Sequence, residues 1–288
     1  MSLDQQIDQL INPLAEGLSD IIFYQINIFG QGFPLIVLWL VSAAVFFTCY
    51  LGFINIRGFS KAISIVSGKN GKSSGPGEIS HFQALSTAIS GTVGVGNIGG
   101  VAVAISIGGP GAAFWLFMAG FLGMSTKFVE CTLGVKYRRH NPDGSVSGGP
   151  MYYLERYLLD RGFPQLGKLL GGFYALALVI GCFGIGNMFQ SNQAYVQVLG
   201  ITGGENSFFA DKGWLFGLLL AGAVAAVIIG GIRSIARVAS KIVPFMAVLY
   251  VFSAVLIIVM SSEHVVGAIG LIISSAFETS SMTGGAIG

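Results

Sequence analysis

Long uncharged runs, separated by short basic stretches, set the pattern of this chain. A helix needs about 20 apolar residues to cross the hydrocarbon of a bilayer. Residues 34–54 form the first such run. Between His81 and Lys127 the uncharged stretch is too long for one helix, and Gly108-Gly109-Pro110-Gly111 divides it by its breaker chemistry. Spans are therefore expected at 82–107 and 112–126. A fourth follows at 169–199, a fifth at 214–231 and a sixth at 243–260. The run 265–277 is only about half long enough, and it reads as re-entrant, interfacial or half of a broken helix. The expected fold class is all-α, a polytopic transmembrane helical bundle in a single transmembrane domain covering 1–288.

Two further segments have an amphipathic pattern. In 1–30, Ile7, Leu10, Ile11, Leu14, Leu18, Ile21 and Ile22 recur at helical spacing, which suits a helix lying at the membrane surface; a frayed tail is the alternative for its first residues. This segment holds Asp4, Asp8, Glu16 and Asp20 and no Lys or Arg, so it lacks the basic start of a cleavable signal and is expected to stay on the mature protein. In 150–161, Met151, Leu154, Tyr157 and Leu158 share a face, Pro150 can start a helix and Ser147 can cap it, so a surface helix is expected. Residues 69–77 read as a Gly/Ser/Lys linker.

Composition agrees with lipid as the solvent. Of the 288 residues, 53% are hydrophobic and 10% charged, against roughly 25% charged in soluble domains. The net charge of +2 is small and points to no nucleic-acid partner; its distribution says more. Fourteen of the fifteen basic residues fall after the first, third and fifth spans, and Lys212 alone is left for the other face. The positive-inside rule then places the N-terminus outside the cytoplasmic membrane. Cys49, Cys131 and Cys182 lie far apart and read as packing residues, and His81, His140 and His264 are equally scattered, so no metal cluster is expected.

The chemistry concentrates in the second span. Ser90-Gly91-Thr92-Val93-Gly94-Val95-Gly96-Asn97-Ile98-Gly99-Gly100 packs glycines at a density that a helix interior tolerates poorly, since each costs about 1 kcal/mol relative to alanine. Such a segment is expected to unwind near 91–97. Non-helical backbone at membrane depth survives where it is buried in protein or lines a wet cavity. The N–H groups of one half-helix then face an anion such as a carboxylate, and freed carbonyls face a small cation. The alternative is close helix packing, for which Gly96 and Gly100 have the right spacing, although packing alone does not call for Ser90, Thr92 and Asn97. A phosphate loop is disfavoured, because no Lys-Ser or Lys-Thr follows.

In the fourth span Asn187, Gln190 and Ser191 share one face and form a polar stripe. A cavity for a zwitterion and plain interhelical hydrogen bonding are both compatible with it; Asn192 and Gln193 favour neither. Lys127 and Glu130 read as an interface pair. Glu278 fits either an intramembrane site or a position outside the bilayer. No Ser/His/Asp set or carboxylate pair sits at membrane depth, so an enzyme is not expected.

At these residues the sequence resembles the alanine/glycine:cation symporter family, also called sodium:alanine symporters. The strings that carry the resemblance are GTVGVGNIGGVAVAISIGGPGAAFW, GMSTKFVE and GVKYR, then SGGPMYYLER and GIGNMFQSNQ. The resemblance implies a leucine-transporter-like fold: a five-plus-five inverted repeat whose first and sixth core helices are broken. Residues 34–54 would be an extra leading helix, with the first repeat and the start of the second in 82–288. Thr92, Gly94 and Gly96 would offer backbone to the substrate carboxylate, Asn97 would brace the break, and carbonyls of Ser90 and Val93 would contribute to a sodium site. Asn187 and Gln190 would face the substrate, and Gly284 and Gly285 would contribute where the sixth core helix begins. The implied partners are a small amino acid, alanine or glycine, sodium as the coupling ion, and the lipid bilayer, with no other cofactor. The family's remaining second-repeat ligands would lie beyond Gly288, so the resemblance also implies a truncated chain that does not transport by itself. A channel subunit with a glycine-rich constriction, and a scaffolding subunit, remain as competing readings.

Overall fold

The computed structural model describes residues 13, 16–17, 20–28, 31–68, 79–182, 184, 186–210 and 212–287. The expected surface helix over 7–22 and the linker over 69–77 lie largely or wholly outside them. The chain divides into two compact units, the first of Met1–Arg57, Gly100–Phe128 and Ser261–Gly288, the second of Gly58–Gly99 and Val129–Met260.

In the first unit, strands β1 (Gln25–Ile28) and β2 (Gln31–Pro34) form an antiparallel hairpin with Gln25 opposite Pro34. The periodicity of 1–30 gave no sign of it. Helix α1 (Leu35–Tyr50) follows, then a short helix α2 (Ile54–Arg57). Helices α5 (Val101–Gly108), α12 (Ser262–Ser275) and α13 (Thr279–Ile287) belong here as well, as does the first part of α6 (Ala112–Lys136). The second unit contains α3 (Phe59–Val66), α4 (His81–Thr92), the antiparallel pair β3 (Arg139–His140) and β4 (Val146–Ser147), α7 (Pro150–Asp160), α8 (Pro164–Gly181), α9 (Asn187–Ile201), α10 (Gly213–Ile228) and α11 (Gly231–Met260).

Among the described residues three helices are long and apolar enough to cross a membrane: α6, α8 and α11. A fourth span arises if α4 and the segment Gly96–Gly108 are taken as one broken helix; α1, α10 and α12 are shorter apolar helices. The exposure pattern is that of a lipid-dissolved protein. Buried apolar side chains among the described residues are six alanines and Val243, whereas Phe245, Val248, Val251 and Phe252 of α11 are exposed. Small residues let helix backbones approach where lipid leaves no hydrophobic drive for large ones to be inside. On α11, Ala236, Ala239 and Val243 form such a seam at helical spacing, and α11 packs against α4.

Three expectations need correction. The fourth span, 169–199, is two helices, α8 and α9, separated at 182–186. Gly186 there has φ +76°, a left-handed conformation that glycine adopts without steric cost. The sixth span begins at Gly231 rather than at 243, because Arg233, Arg237 and Lys241 stay helical while hydropathy counts them as loop. Pro244 lies inside this helix. The surface helix at 150–160 forms, but its cap is Gly149 and Ser147 does not serve. Ser147 is in β4, where its hydroxyl accepts from the Asn141 amide at 2.8 Å.

Polar contacts lock α1 onto α6 within the first unit. The Thr48 hydroxyl, 1% exposed, lies 2.7 Å from the Ala44 carbonyl and 3.0 Å from the Ser125 hydroxyl, which is fully buried. Farther along, Asn55 Nδ2 donates to the Phe121 carbonyl at 3.2 Å. Thr48→Val leaves Ser125 buried without this partner and is expected to cost about 1–2 kcal/mol. A lowered midpoint of thermal unfolding in detergent measures it; an unchanged midpoint rejects the contact's role.

Candidate functional site

The glycine-dense segment is broken where its composition requires. Helix α4 starts with a capping box, in which the Ser80 hydroxyl accepts from the Gln83 N–H and the Gln83 side chain accepts from the Ser80 N–H. It stops at Thr92. The Val93 N–H makes a last helical bond to the Ile89 carbonyl at 2.8 Å, and Val93 itself is extended, with φ −102° and ψ 108°. A π-helical turn, Gly96–Gly100, then leads into α5, and the chain bends by 54° at the break.

Asn97 fastens the turn from both sides. Its Oδ1 accepts from the Gly94 N–H at 3.0 Å, and its own N–H donates to the Gly94 carbonyl at 3.0 Å. With the Gly94 N–H turned to Asn97, the Ser90 carbonyl is denied the donor that a continuing helix would bring to it. The hydroxyls behave differently. Ser90 Oγ donates back to the Thr87 carbonyl at 2.7 Å and Thr92 Oγ1 to the Ala88 carbonyl at 2.8 Å, so both close on their own helix. What this stretch offers a ligand is main chain. Gly96 has open space where a side chain would be.

A second break approaches the first within the same unit. A Cβ on Gly94 would lie 3.0 Å from Gln190 Nε2, so the bare backbone at 94 is what admits the Gln190 amide. Among the described residues that amide makes no hydrogen bond. Gln190 sits one turn into α9, its N–H bonded to the Gly186 carbonyl at 3.0 Å. Asn187 is used locally: its Nδ2 donates to the Cys182 carbonyl at 2.9 Å and its Oδ1 accepts from the Met188 N–H at 2.9 Å. It bridges the 182–186 interruption instead of presenting its amide outward. Ser191 Oγ donates to the Met188 carbonyl at 3.0 Å. Of the polar stripe, Gln190 is the member brought to the first break. Hydropathy alone does not register the interruption; its signal in the sequence is Gly181, Gly184 and Gly186 where the run turns from apolar to polar.

Gly284 and Gly285 lie in the other unit, on α13. Gly284 packs against the backbone of Gly108 and the Ala104 carbonyl, and a Cβ on Gly285 would lie 2.6 Å from Trp115 Cβ. The Ser281 hydroxyl donates to the Gly108 carbonyl at 2.7 Å, and Trp115 Nε1 donates to the Ala276 carbonyl at 2.6 Å. Both glycines are occupied with helix packing here. Glu278 follows α12, and its N–H donates to the Ser275 carbonyl at 3.1 Å. Among the described residues there is no group of three or more His, Cys, Asp or Glu able to hold a metal ion.

Residues 16–288 match the model of the sodium:alanine symporter family. A sodium/alanine symporter, AgcS, from Methanococcus maripaludis is 42% identical over 263 residues, covering 91% of this chain and 56% of the relative. A putative sodium/proton-dependent alanine carrier protein, YrbD, from Bacillus subtilis is 40% identical over 84% of this chain and 46% of the relative. A probable sodium/glutamine symporter, GlnT, from the same organism is 34% identical over 88% and 50%. The chain spans about half the length of the curated relatives it matches.

Proposed function

Because the chain belongs to the sodium:alanine symporter family, we propose that it builds part of a sodium-coupled symporter importing small neutral amino acids, alanine or glycine, across the cytoplasmic membrane by alternating access. The observation that carries this reading is the backbone break at 93–95, braced by Asn97 and approached by Gln190. A helical segment resumes at Gly96, and its first N–H groups, at the positive end of the helix dipole, suit a carboxylate. Carbonyls at the end of α4, those of Ser90 and Val93 in particular, suit sodium. Ion and substrate would thus share one unwound segment, so that binding of either orders the backbone for the other. Gln190 is the side chain suited to read the substrate beside Gly94.

The charge distribution supports an orientation with the N-terminus outside. The broken helix, followed by a second glycine-rich segment at Gly284 and Gly285, suits a leucine-transporter-like inverted repeat, in which two bundles rock about the site. The relatives' names span alanine and glutamine, so competition by glycine but not by glutamine is the expected mark of a small-substrate site.

The experiment joins this chain to the remaining length of the Methanococcus maripaludis relative and reconstitutes the whole in vesicles. An inward sodium gradient is expected to drive accumulation of labelled alanine, and unlabelled glycine to compete. Sodium conductance without any amino acid would favour a pore instead, and uptake indifferent to sodium would reject the coupling.

A further inference from the structure

We infer that the surface made by the β3–β4 hairpin, α7 and the first turns of α8 binds the headgroup of an anionic phospholipid. Its depth is fixed by connectivity. The segment joins α6 to α8, both long enough to span, with Lys136 closing the first and Lys168 one turn inside the second. Everything between them is therefore held at one membrane face.

The surface is cationic and lined with aromatic rings. The segment carries six cations, Lys136, Arg138, Arg139, Arg156, Arg161 and Lys168, and three carboxylates, Asp143, Glu155 and Asp160. Asp143 is engaged by its own turn: Ser145 donates to it from its hydroxyl at 2.6 Å and its N–H at 2.9 Å. Glu155 is engaged as well, by the Arg139 guanidinium at 3.0 Å. Rings hold several of the cations in place. Arg139 lies over Tyr152, Arg161 over Tyr157 and Lys136 over Tyr137, each between 5.3 and 5.4 Å from the ring centroid. A ring orients a cation without cancelling its charge.

A pocket of about 280 Å³ opens within this surface, lined by Met151, Tyr152, Glu155, Lys168, Gly171 and Gly172. Glycines shape it. A Cβ on Gly171 would lie 2.9 Å from the Met151 carbonyl and one on Gly167 2.8 Å from the Glu155 carbonyl, so α7 and α8 touch backbone to backbone there. Glu155 is turned to Arg139, and Lys168 has no ion-pair partner among the described residues. A cation lining a cleft at the membrane face, with the Tyr152 ring in the same wall, has the chemistry to hold a lipid phosphodiester with its acyl chains left in the bilayer.

The test uses the purified chain in detergent, offered phosphatidylglycerol or phosphatidylcholine with identical acyl chains, with retained lipid counted by native mass spectrometry. Phosphatidylglycerol is expected to be retained in preference. Lys168→Gln and Arg156→Gln should each lower that retention about fivefold, while Lys212→Gln, outside this surface, leaves it unchanged. Circular dichroism identifies any variant that has lost its helices, and the other then decides. Equal retention of the two lipids, an equal loss in Lys212→Gln, or displacement of the lipid by excess inorganic phosphate would overturn the inference.

Discussion

Asn97→Ala, placed in the completed carrier, is expected to lower sodium-driven alanine uptake by about tenfold, because a side-chain cap of this kind is worth about 0.5–2 kcal/mol. The alanine leaves the Gly94 N–H without the Oδ1 that holds it at 3.0 Å. The turn then has a cheaper alternative, in which Gly94 donates back toward the end of α4 and covers the carbonyls proposed for sodium. Asn97→Asp keeps an acceptor at the same place and should retain more uptake than alanine does. The affinity for sodium and the affinity for alanine should fall together, since both are proposed to depend on one backbone conformation. Uptake unchanged in Asn97→Ala would point to a scaffolding role instead.

The second large effect is on stability. A Cβ at Gly108 would lie 2.6 Å from Gly284 Cα and 2.8 Å from the Ser280 carbonyl. Those are backbone atoms of α13, so no side chain can swing aside. Gly108→Val must push α5 and α13 apart and break the Ser281 hydroxyl's 2.7 Å bond to the Gly108 carbonyl. Overpacking of this kind costs about 3 kcal/mol. Gly120→Ala provides the contrast: nothing lies within 4 Å of its Cβ position, so the change removes only glycine's helix penalty and should be neutral or slightly stabilising. Thermal unfolding in detergent compares the two. Equal midpoints would mean that α5 and α13 do not make this contact.

How legible the chain was depended on how each element announces itself. The break at 93–95 could be read in advance because glycine density and polar residues coincide in one apolar run. The break at 182–186 has the same chemistry at lower density, with Gly181, Gly184 and Gly186 between the apolar end of α8 and the polar first turns of α9, and a hydropathy window runs across it. Hydropathy also hid the first turns of α11, since a helix leaving the bilayer keeps its backbone bonds whatever its side chains do. The small hairpin at 139–147 had a usable signal in Asn141-Pro142-Asp143-Gly144, a turn sequence, and Gly144 does take φ +80°. No comparable signal marked β1 and β2.

Side-chain roles were less legible than backbone ones. The i, i+3, i+4 rule placed Asn187 and Gln190 on one face, but it could not say that Asn187 would turn back to the Cys182 carbonyl while Gln190 met Gly94. That distinction depends on where α9 begins, which helical periodicity does not register. Gly284 and Gly285 came from resemblance alone, and here they are packing residues on α13.

Amino acid and sodium are proposed to occupy jointly the unwound backbone between Thr92 and Asn97. Hydrogen exchange of the peptide covering 90–100 in the completed carrier tests this most directly. The amides at 95 and 96 should exchange fast in the empty protein, slow in part with alanine or sodium alone, and slow about tenfold or more when both are present. Slow exchange in the empty protein, or no added protection with both ligands while uptake proceeds, would contradict it.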